Sequence, residues 1–286
     1  MADSFDLAGI ASALKGTIFA EQVRHHRSVG STNVLALEAA QAGAPHGCVW
    51  VADEQTAGRG RGGHEWHSTA GDGLYVSVLM RPRMALLDAL WLSLATGLAV
   101  KAAIDTVTKL VADIRWPNDL LLSGRKCGGV LVETSIVASQ ADHPPMLRYA
   151  VIGVGINVNH ENFPAELEDI ATSLRRESGK KWPREDMLVE FLRALERETD
   201  QLEAELRGAY KGPGLLERFA AASSWVRGKQ VRVDEGGGYT GVTDGLDAHG
   251  FLRVAGDDGM LHTVLSGGVR EHSQDIRRTA ANATGD

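Results

Sequence analysis

Residues 58–66 read GRGRGGHEW, a run in which four glycines surround two arginines and which ends at Trp66. Arg59 and Arg61 therefore carry fixed positive charges on a very flexible stretch of backbone. Guanidinium groups form charge-assisted hydrogen bonds with carboxylates and phosphates. We therefore predict a loop that is disordered when empty and becomes ordered around an anionic ligand. A mobile hairpin connection that binds nothing is the alternative.

The loop fits neither of two familiar nucleotide-binding motifs, the dinucleotide-binding GxGxxG and the Walker pattern. The run satisfies GxGxxG, but that motif needs a helix directly after the third glycine, and HEWHSTAGDG follows here. The Walker pattern GxxxxGK[ST] does not occur in the sequence. His64 and His67 would not share a helical face on such a loop, so we do not expect a metal site there.

A second candidate segment is RWPNDLLLSGRKCGG, residues 115–129. Ser123-Gly124 predicts a two-residue turn. The flanking strands would then pair as Leu122 with Arg125, Leu121 with Lys126 and Asp119 with Gly128. In this register Asp119 and Lys126 lie diagonally on one sheet face, about 7–8 Å apart, with room for a small charged ligand group between them. A solvated hairpin carrying an ion pair is the alternative.

The third segment is GVGIN, residues 153–157, which puts two glycines into an apolar strand before Asn157. The glycines would provide a flat surface for a planar ring, and Asn157 would bind the edge of that ring through hydrogen bonds. A β-bulge at the glycines is the alternative. Trp66 is suited to stacking on a base, or it is a core residue.

Helices and strands must position these segments, and their patterns are clear along most of the chain. Caps and periodicity predict helices over 31–42, 84–107 and 182–206. Short apolar runs predict strands over 48–53, 74–80, 112–122, 126–134 and 149–159. After Trp225, short β-rich runs alternate with EGGG, DG, HG and DDG turns, which predicts a small barrel-like module of roughly 50 residues.

Composition limits the classes of protein to which the chain can belong. The 286 residues are enough for one large and one smaller domain, and the net charge of -7 argues against a protein that coats nucleic acid. Two cysteines without a CxxC favour a reducing cytoplasm, and the first residues lack the pattern of a signal peptide. The apolar stretch 89–104 is shorter than the ~20 residues of a membrane span and contains Lys101, which predicts a buried helix.

Several motifs together resemble those of the biotin protein ligases, the biotin–[acetyl-CoA-carboxylase] ligases. STN at 31, EQTAGRGRGG…W at 54–66, RWPNDLLL…RKCGG at 115–129 and GVGINV at 153–158 occur in the family's order. The resemblance covers about residues 25–270, and several ordered motifs are far more specific than one. It implies an α+β fold: a class II synthetase-like biotin–lipoate ligase domain with a mixed sheet and helices, over 1–222, and an SH3-like β-barrel over 223–272. Residues 273–286 would form a flexible tail.

The resemblance also implies site residues and substrates. Biotin and its adenylate would be bound by Ser31, Thr32, Asn33, Gln55, Gly58, Arg59, Gly60, Arg61, Lys126 and Gly129. The nucleotide would be bound by Trp66, Asn118, Gly155 and Asn157. Lys126, Arg61 and Asp119 would be the catalytic residues. ATP and biotin would be the substrates, and Mg²⁺ would bind through the phosphates rather than through side chains.

The implied activity is formation of biotinyl-5′-AMP and transfer of biotin to a lysine of the biotin carboxyl carrier protein of acetyl-CoA carboxylase. Biotin's carboxylate is already ionised at neutral pH, so the first step needs positioning and charge neutralisation rather than a base. In the second step Asp119 would orient or deprotonate the acceptor lysine. A lipoate–protein ligase-like acyltransferase and a non-catalytic biotin-sensing regulator are the alternative functions.

Three departures from the family pattern bear on these expectations. His64 stands where many members have a third loop arginine, which predicts weaker or pH-sensitive retention of the intermediate. SGGV at 266–269 replaces the usual SGEV. About thirty residues precede STN, too few for a winged helix and its linker, so we expect no DNA binding. The short apolar stretch and the lack of a signal-peptide pattern predict no membrane association. A homodimer remains open.

Overall fold

A computed structural model describes residues 5–137 and 144–272, which form two β-sheets and the helices around them. The helices are α1 (Leu7–Ala13), α2 (Thr32–Gln41), α3 (Leu90–Thr108), α4 (Leu174–Ser178), α5 (Arg184–Leu206) and α6 (Leu215–Ala222). The larger sheet contains β1 (Val23–Val29), β2 (Val49–Gln55), β3 (Gly73–Met80), β4 (Asp113–Arg115), β5 (Asp119–Leu122), β6 (Arg125–Ile136) and β7 (Leu147–Asn157). The smaller sheet contains β8 (Arg227–Val233), β9 (Tyr239–Leu246), β10 (Leu252–Gly256), β11 (Leu261–Val264) and β12 (Val269–Glu271).

The larger sheet is mixed and has helices on both faces. Its strand order is β1-β2-β3-β7-β6-β5-β4, with β1 parallel to β2 and the remaining pairs antiparallel. Helix α2 packs against β2, β3 and β7, while α3 and α5 pack against each other and against the sheet. Alternate strand residues face the two sides, so Trp50 is in the cluster under α2 and Val51 is in the main core. This confirms the expected α+β class.

The strand predicted over 112–122 is wrong, because the segment forms β4 and β5 with a turn between them. Ile114 pairs with Leu120 across this turn. Pro117 lies in the turn, and proline cannot donate a ladder hydrogen bond within a continuous strand. The turn carries Asn118, one of the predicted site residues, to the edge of the cavity described below.

The helix predicted over 84–107 begins later, at Leu90. The preceding residues are held on the β6–β7 hairpin instead, because Leu86 donates its N–H to the Pro145 carbonyl and Leu147 donates to Met84. By length and mean hydropathy alone, the helical segment Leu86–Thr108 could cross a membrane. Within the protein, 61% of that window is buried. This agrees with the prediction of a buried helix.

The smaller sheet is antiparallel and has the order β11-β10-β9-β8-β12. It confirms the β-rich, turn-punctuated pattern predicted after Trp225. The sheet is open, with β11 and β12 at its two edges. The β4–β5 region connects the larger unit to this module. The Trp116 indole N–H donates to the Gly250 carbonyl at 2.9 Å, and the Ile114 carbonyl accepts a 2.5 Å hydrogen bond from the hydroxyl of Ser223, which follows α6.

Candidate active site

One cavity brings together most of the residues that the sequence predicts for a site. Its lining includes twelve of the fifteen: Ser31, Thr32, Asn33, Gln55, Arg59, Gly60, Arg61, Trp66, Asn118, Lys126, Gly129 and Gly155. Val76, Val130, Leu131, Gly153 and Val154 complete the lining. Gly58, Asp119 and Asn157 lie outside it. Segments separated by more than one hundred residues thus meet at the central strands of the sheet, where β7 lies between β3 and β6.

Polar side chains from α2 and its neighbours form one wall of the cavity. The Gln55 side-chain oxygen accepts hydrogen bonds from the Thr32 N–H at 2.9 Å and from the Thr32 hydroxyl at 3.1 Å. The buried Ser77 hydroxyl lies 2.8 Å from Thr32 Oγ1 and 2.5 Å from Asn33 Oδ1. Ser31 is the N-cap residue that precedes α2, but its side chain makes no capping hydrogen bond. The wall is therefore a network of neutral donors and acceptors.

The floor of the cavity is the glycine-containing part of β7. Gly155 pairs with Tyr75 on one side and with Gly129 on the other, without a shift in register, so the β-bulge alternative does not form. A Cβ atom on Gly155 would clash with the Trp66 indole. The ring can therefore approach the strand closely only because position 155 has no side chain.

The glycine loop is folded as a short hairpin rather than as an open ribbon. Gly60 donates its N–H to the His64 carbonyl at 2.7 Å, and Trp66 donates to Gly58 at 3.0 Å. Gly62 has φ 64°, in the left-handed region that glycine tolerates best. Gly58 lies at the base of the hairpin, where a Cβ atom would be 2.7 Å from the Trp66 carbonyl oxygen.

Both loop arginines contact groups outside the loop. Arg59 Nη2 lies 3.2 Å from a carboxylate oxygen of Glu133, which also accepts a 2.8 Å hydrogen bond from the Asn33 amide. Arg61 donates to the Asn118 side-chain oxygen at 3.4 Å and to the Ser266 carbonyl at 2.9 Å. Burial lowers the pKa of Arg61, and the nearby Asp119 partly offsets this effect.

Sequence analysis did not identify Glu133, Ser77 or Ser266. For Glu133 a signal existed, because Gly129, Leu131 and Glu133 alternate along one predicted strand and so share a face. Ser77 lies within a fully buried strand, where the sequence pattern gives no sign of its polar contacts. Ser266 lies in the connection between β11 and β12 of the smaller sheet, and nothing in the sequence relates it to Arg61.

Lys126 and Asp119 form a direct ion pair, with Lys126 Nζ 2.6 Å from Asp119 Oδ1. The two charged groups touch, so no ligand group lies between them as it would across the predicted diagonal of about 7–8 Å. The turn at Ser123-Gly124 pairs Leu121 with Lys126 as expected, but a bulge follows, and Asp119 pairs with Gly129 rather than Gly128. The register therefore differs by one residue from the predicted one, and the two charged side chains are in direct contact.

Asp119 lies between two cations, Lys126 and Arg115. Burial would raise the pKa of this carboxyl, but the two positive charges and their hydrogen bonds outweigh burial and hold the pKa below its ordinary value. A carboxylate with a lowered pKa is a weak proton acceptor. Lys126 Nζ also lies 5.3 Å from the centre of the Trp66 ring, within the range of a cation–π contact.

Asn157 is held by backbone carbonyls rather than pointing into the cavity lining. Its amide donates to the Thr172 carbonyl at 3.0 Å and to the Lys126 carbonyl at 3.5 Å. Within residues 5–137 and 144–272 no group of three or more His, Cys, Asp or Glu side chains is arranged to hold a metal ion. The arrangement thus consists of a polar wall, a flat floor and three cations: Arg59, Arg61 and Lys126.

Comparison with known proteins places this arrangement in a family. The biotin/lipoate A/B protein ligase family matches residues 26–157, which contain the cavity's polar wall, floor and three cations. A biotin–[acetyl-CoA-carboxylase] ligase of Mycobacterium tuberculosis is 36% identical over 253 residues, covering 85% of this chain and 86% of that protein. The chain belongs to the biotin protein ligase family.

Solved structures of biotin protein ligases share the fold. The ligase of Aquifex aeolicus in complex with biotin and ATP has 28% identity and a TM-score of 0.68, covering 87% of this chain and 98% of that chain. The bifunctional ligase/repressor BirA of Bacillus subtilis is 38% identical over 190 residues. The match covers 66% of this chain and only 57% of the length of that bifunctional relative.

Proposed function

We propose that this protein is an ATP-dependent biotin–protein ligase that forms biotinyl-5′-AMP and transfers biotin to a lysine of the biotin carboxyl carrier protein of acetyl-CoA carboxylase. The observation that carries the proposal is the convergence of Arg59, Arg61 and Lys126 on a cavity with a neutral polar wall. A relative named for this activity and a relative solved with biotin and ATP support the choice of substrates.

The two chemical halves of biotin suit the two sides of this cavity. Its cyclic urea is neutral and offers one carbonyl acceptor and two N–H donors, which match the network of Thr32, Asn33 and Gln55. Its carboxylate is anionic and would lie toward the cations. Biotin would therefore bind with the urea at the polar wall and the carboxylate near Lys126.

In the proposed first half-reaction a carboxylate oxygen of biotin attacks the α-phosphorus of ATP, and pyrophosphate leaves. No proton has to be removed from the nucleophile. The protein's task is to hold two anions in line and to stabilise the charge that develops between them. Lys126 and the two loop arginines are the cations for this task, and Trp66 would stack on the adenine.

In the proposed second half-reaction the ε-amine of the acceptor lysine attacks the mixed anhydride, and AMP leaves. That amine must first lose a proton. Asp119 is a poor base, because Lys126 and Arg115 hold its pKa low. We therefore assign Asp119 the role of orienting Lys126.

Asn157 is a proposed contact of the adenine. To make that contact, its amide would have to give up its hydrogen bond to the Thr172 carbonyl.

Magnesium enters the proposal only together with the nucleotide. The described part of the chain offers no cluster of side chains that would hold the ion, and the half-buried carboxylate of Asp119 is already paired with Lys126 and Arg115. Mg²⁺ would therefore be carried by the phosphate oxygens of ATP, its usual ligands in such sites.

The domain organisation is part of the same proposal. We assign residues 1–222 to the catalytic domain and 223–272 to an SH3-like module, because α6 ends at Ala222 and the strands that follow pair only among themselves in the described chain. The open edges at β11 and β12 make this module an incomplete barrel. The predicted tail, 273–286, lies outside the described residues. We place the protein in the cytoplasm, where its carrier protein would be synthesised, and a homodimer remains part of the hypothesis.

A transfer assay distinguishes this proposal from a lipoate ligase and from a binding-only regulator. The purified protein would be given ATP, Mg²⁺ and the carrier domain with biotin, with lipoate, or with both. A biotin ligase labels the carrier lysine with biotin and is not inhibited by equimolar lipoate. Preferential transfer of lipoate, or binding of biotin without any transfer, would contradict the proposal.

A further inference from the structure

The smaller sheet reaches the glycine loop through the segment 265–268, which joins β11 to β12. The carbonyl oxygen of Ser266 accepts a 2.9 Å hydrogen bond from Arg61 Nη2. These two residues are 205 positions apart in the chain. Arg61 is a cavity residue, whereas Ser266 is not. The segment therefore contacts the site from outside, through one of its cations.

Protein groups orient Arg61 from two directions. One terminal nitrogen donates to Asn118 at the β4–β5 turn, and the other donates to Ser266. A guanidinium has five N–H donors in a rigid plane, so two such contacts fix the plane and leave three donors for an anion. The orientation of the Arg61 guanidinium therefore depends on how firmly the Ser266 carbonyl is held in place.

Glu235, in the turn between β8 and β9, holds that carbonyl in place. One carboxylate oxygen accepts the Leu265 N–H at 2.8 Å, and the other accepts the Ser266 hydroxyl at 3.2 Å. The adjacent Asp234 N–H donates to the Gly268 carbonyl at 3.1 Å. Hydrogen bonds to an ionised acceptor are stronger than those to a neutral acceptor. The segment is thus fastened at both ends to a single turn.

We infer that Glu235 is a positioning residue that sets the direction of the Arg61 guanidinium through the segment 265–268. It acts without touching the ligand, since it is not among the residues that line the cavity. The role rests on the proposed function, because Arg61 is expected to retain the adenylate. The smaller sheet would then have a specific role, which is to hold the Arg61 guanidinium in the direction that faces the ligand.

Limited proteolysis tests the structural part of this inference without any assay of activity. Trypsin cleaves after Arg59 and Arg61, and mass spectrometry of the fragments reports cleavage in the loop. In the ligand-free protein Glu235→Ala should speed this cleavage about tenfold, the effect of losing roughly one hydrogen bond to a charged acceptor. Glu235→Gln should retain most of the protection, because its amide oxygen still accepts the Leu265 N–H.

Asp258 provides the matched control. It is also a turn carboxylate of the smaller sheet that accepts a backbone N–H, from Met260 at 2.9 Å, but it has no contact with 265–268 among the contacts of the described chain. Trypsin should cleave the loop of the Asp258→Ala protein at the wild-type rate. Equal cleavage of wild type and Glu235→Ala, or equal acceleration by Asp258→Ala, would overturn the inference.

A double-mutant cycle tests the functional part. The rate at which bound biotinyl-5′-AMP is released should rise about tenfold in Glu235→Ala, and Glu235→Ala should add nothing in a protein that already carries Arg61→Ala. A residue with a merely structural role would add its effect in both backgrounds, and that result would refute the assignment. Wild-type protein that makes no adenylate would contradict the proposed function instead, while the proteolysis result would still stand.

Discussion

Lys126 Nζ lies 2.6 Å from Asp119 Oδ1 and 5.3 Å from the centre of the Trp66 ring. A single ammonium group thus contacts an anion on β5 and an aromatic ring at the end of the glycine loop. Asp119 is itself held by Arg115, so the ion pair has a fixed partner. The lysine is therefore positioned by contacts within the protein itself, as electrostatic stabilisation of a transition state requires.

Replacing Lys126 with methionine should lower the rate of adenylate formation by about two orders of magnitude or more, because a cation at the reacting phosphate is lost. Pyrophosphate release measures this rate. Lys126→Arg keeps the charge but changes its geometry and should recover only part of the rate. Lys211→Met, at an exposed position, is the control and should behave as wild type. Undiminished pyrophosphate release by a folded Lys126→Met protein would disprove the role.

Replacing Arg61 with alanine should let the intermediate escape, because one of the two loop cations that would retain it is gone. The expected signs are biotin on lysines of bystander proteins and free biotinyl-5′-AMP in the solvent, each about tenfold above wild type or more. A mixture of the carrier domain and an unrelated protein such as albumin provides the readout. Labelling that stays confined to the carrier would count against the assignment.

Adding a methyl group at Gly155 should displace the Trp66 indole, since a Cβ atom there would clash with the ring. We expect the KM for ATP to rise about tenfold and the free energy of unfolding to fall by about 1–3 kcal/mol, the range for an overpacked site. Gly97→Ala is the control, because its Cβ would meet ordinary neighbours at 3.7 Å within helix α3. It should be neutral or slightly stabilising. A Gly155→Ala protein with unchanged KM and stability would show that the ring does not depend on this glycine.

His160 should make stability depend on pH. Burial, assisted by the neighbouring His67, lowers the pKa of His160 to about 4. The unfolded chain, with an ordinary histidine pKa of about 6.5, therefore binds more protons than the native state between these values. Stability from this group is complete above about pH 6.5 and is lost as the pH falls toward 4, by about 3 kcal/mol.

Urea unfolding of wild type and His160→Gln at pH 7 and pH 5 measures this effect. The variant should lose less of its free energy of unfolding than wild type between the two pH values. His64→Gln, on the exposed part of the glycine loop, should follow the wild-type dependence. Parallel curves for wild type and His160→Gln would contradict the prediction.

Local sequence signals predicted the frame of the site well. The turn at Ser123-Gly124, the pairing of Leu122 with Arg125, helix α2 and strands β2, β3, β6 and β7 all follow from nearest-neighbour chemistry and apolar periodicity. The cavity also collects most of the motif residues, because the motifs lie at the ends of adjacent strands. Turn residues and alternation act over a few positions, so a single sequence displays them directly.

The charged contacts depend on relations that a single sequence does not display. A bulge in β6 shifts the partner of Asp119 from Gly128 to Gly129, and Gly129 also pairs with Gly155 of β7. The contact of Arg61 with Ser266 depends on how two sheets dock. The break between β4 and β5 is different, because the sequence does display its cause. Pro117 has no N–H to donate, which argues against one continuous strand over 112–122.

The most direct test of the central claim is isotope exchange between pyrophosphate and ATP, catalysed by the purified protein in the presence and absence of biotin. The claim is that the cations around this cavity promote the attack of a carboxylate on the α-phosphorus of ATP. It predicts exchange that requires biotin, that lipoate does not support and that Lys126→Met slows by about a hundredfold or more. Exchange that is absent with biotin, or equally fast without it, would contradict the account.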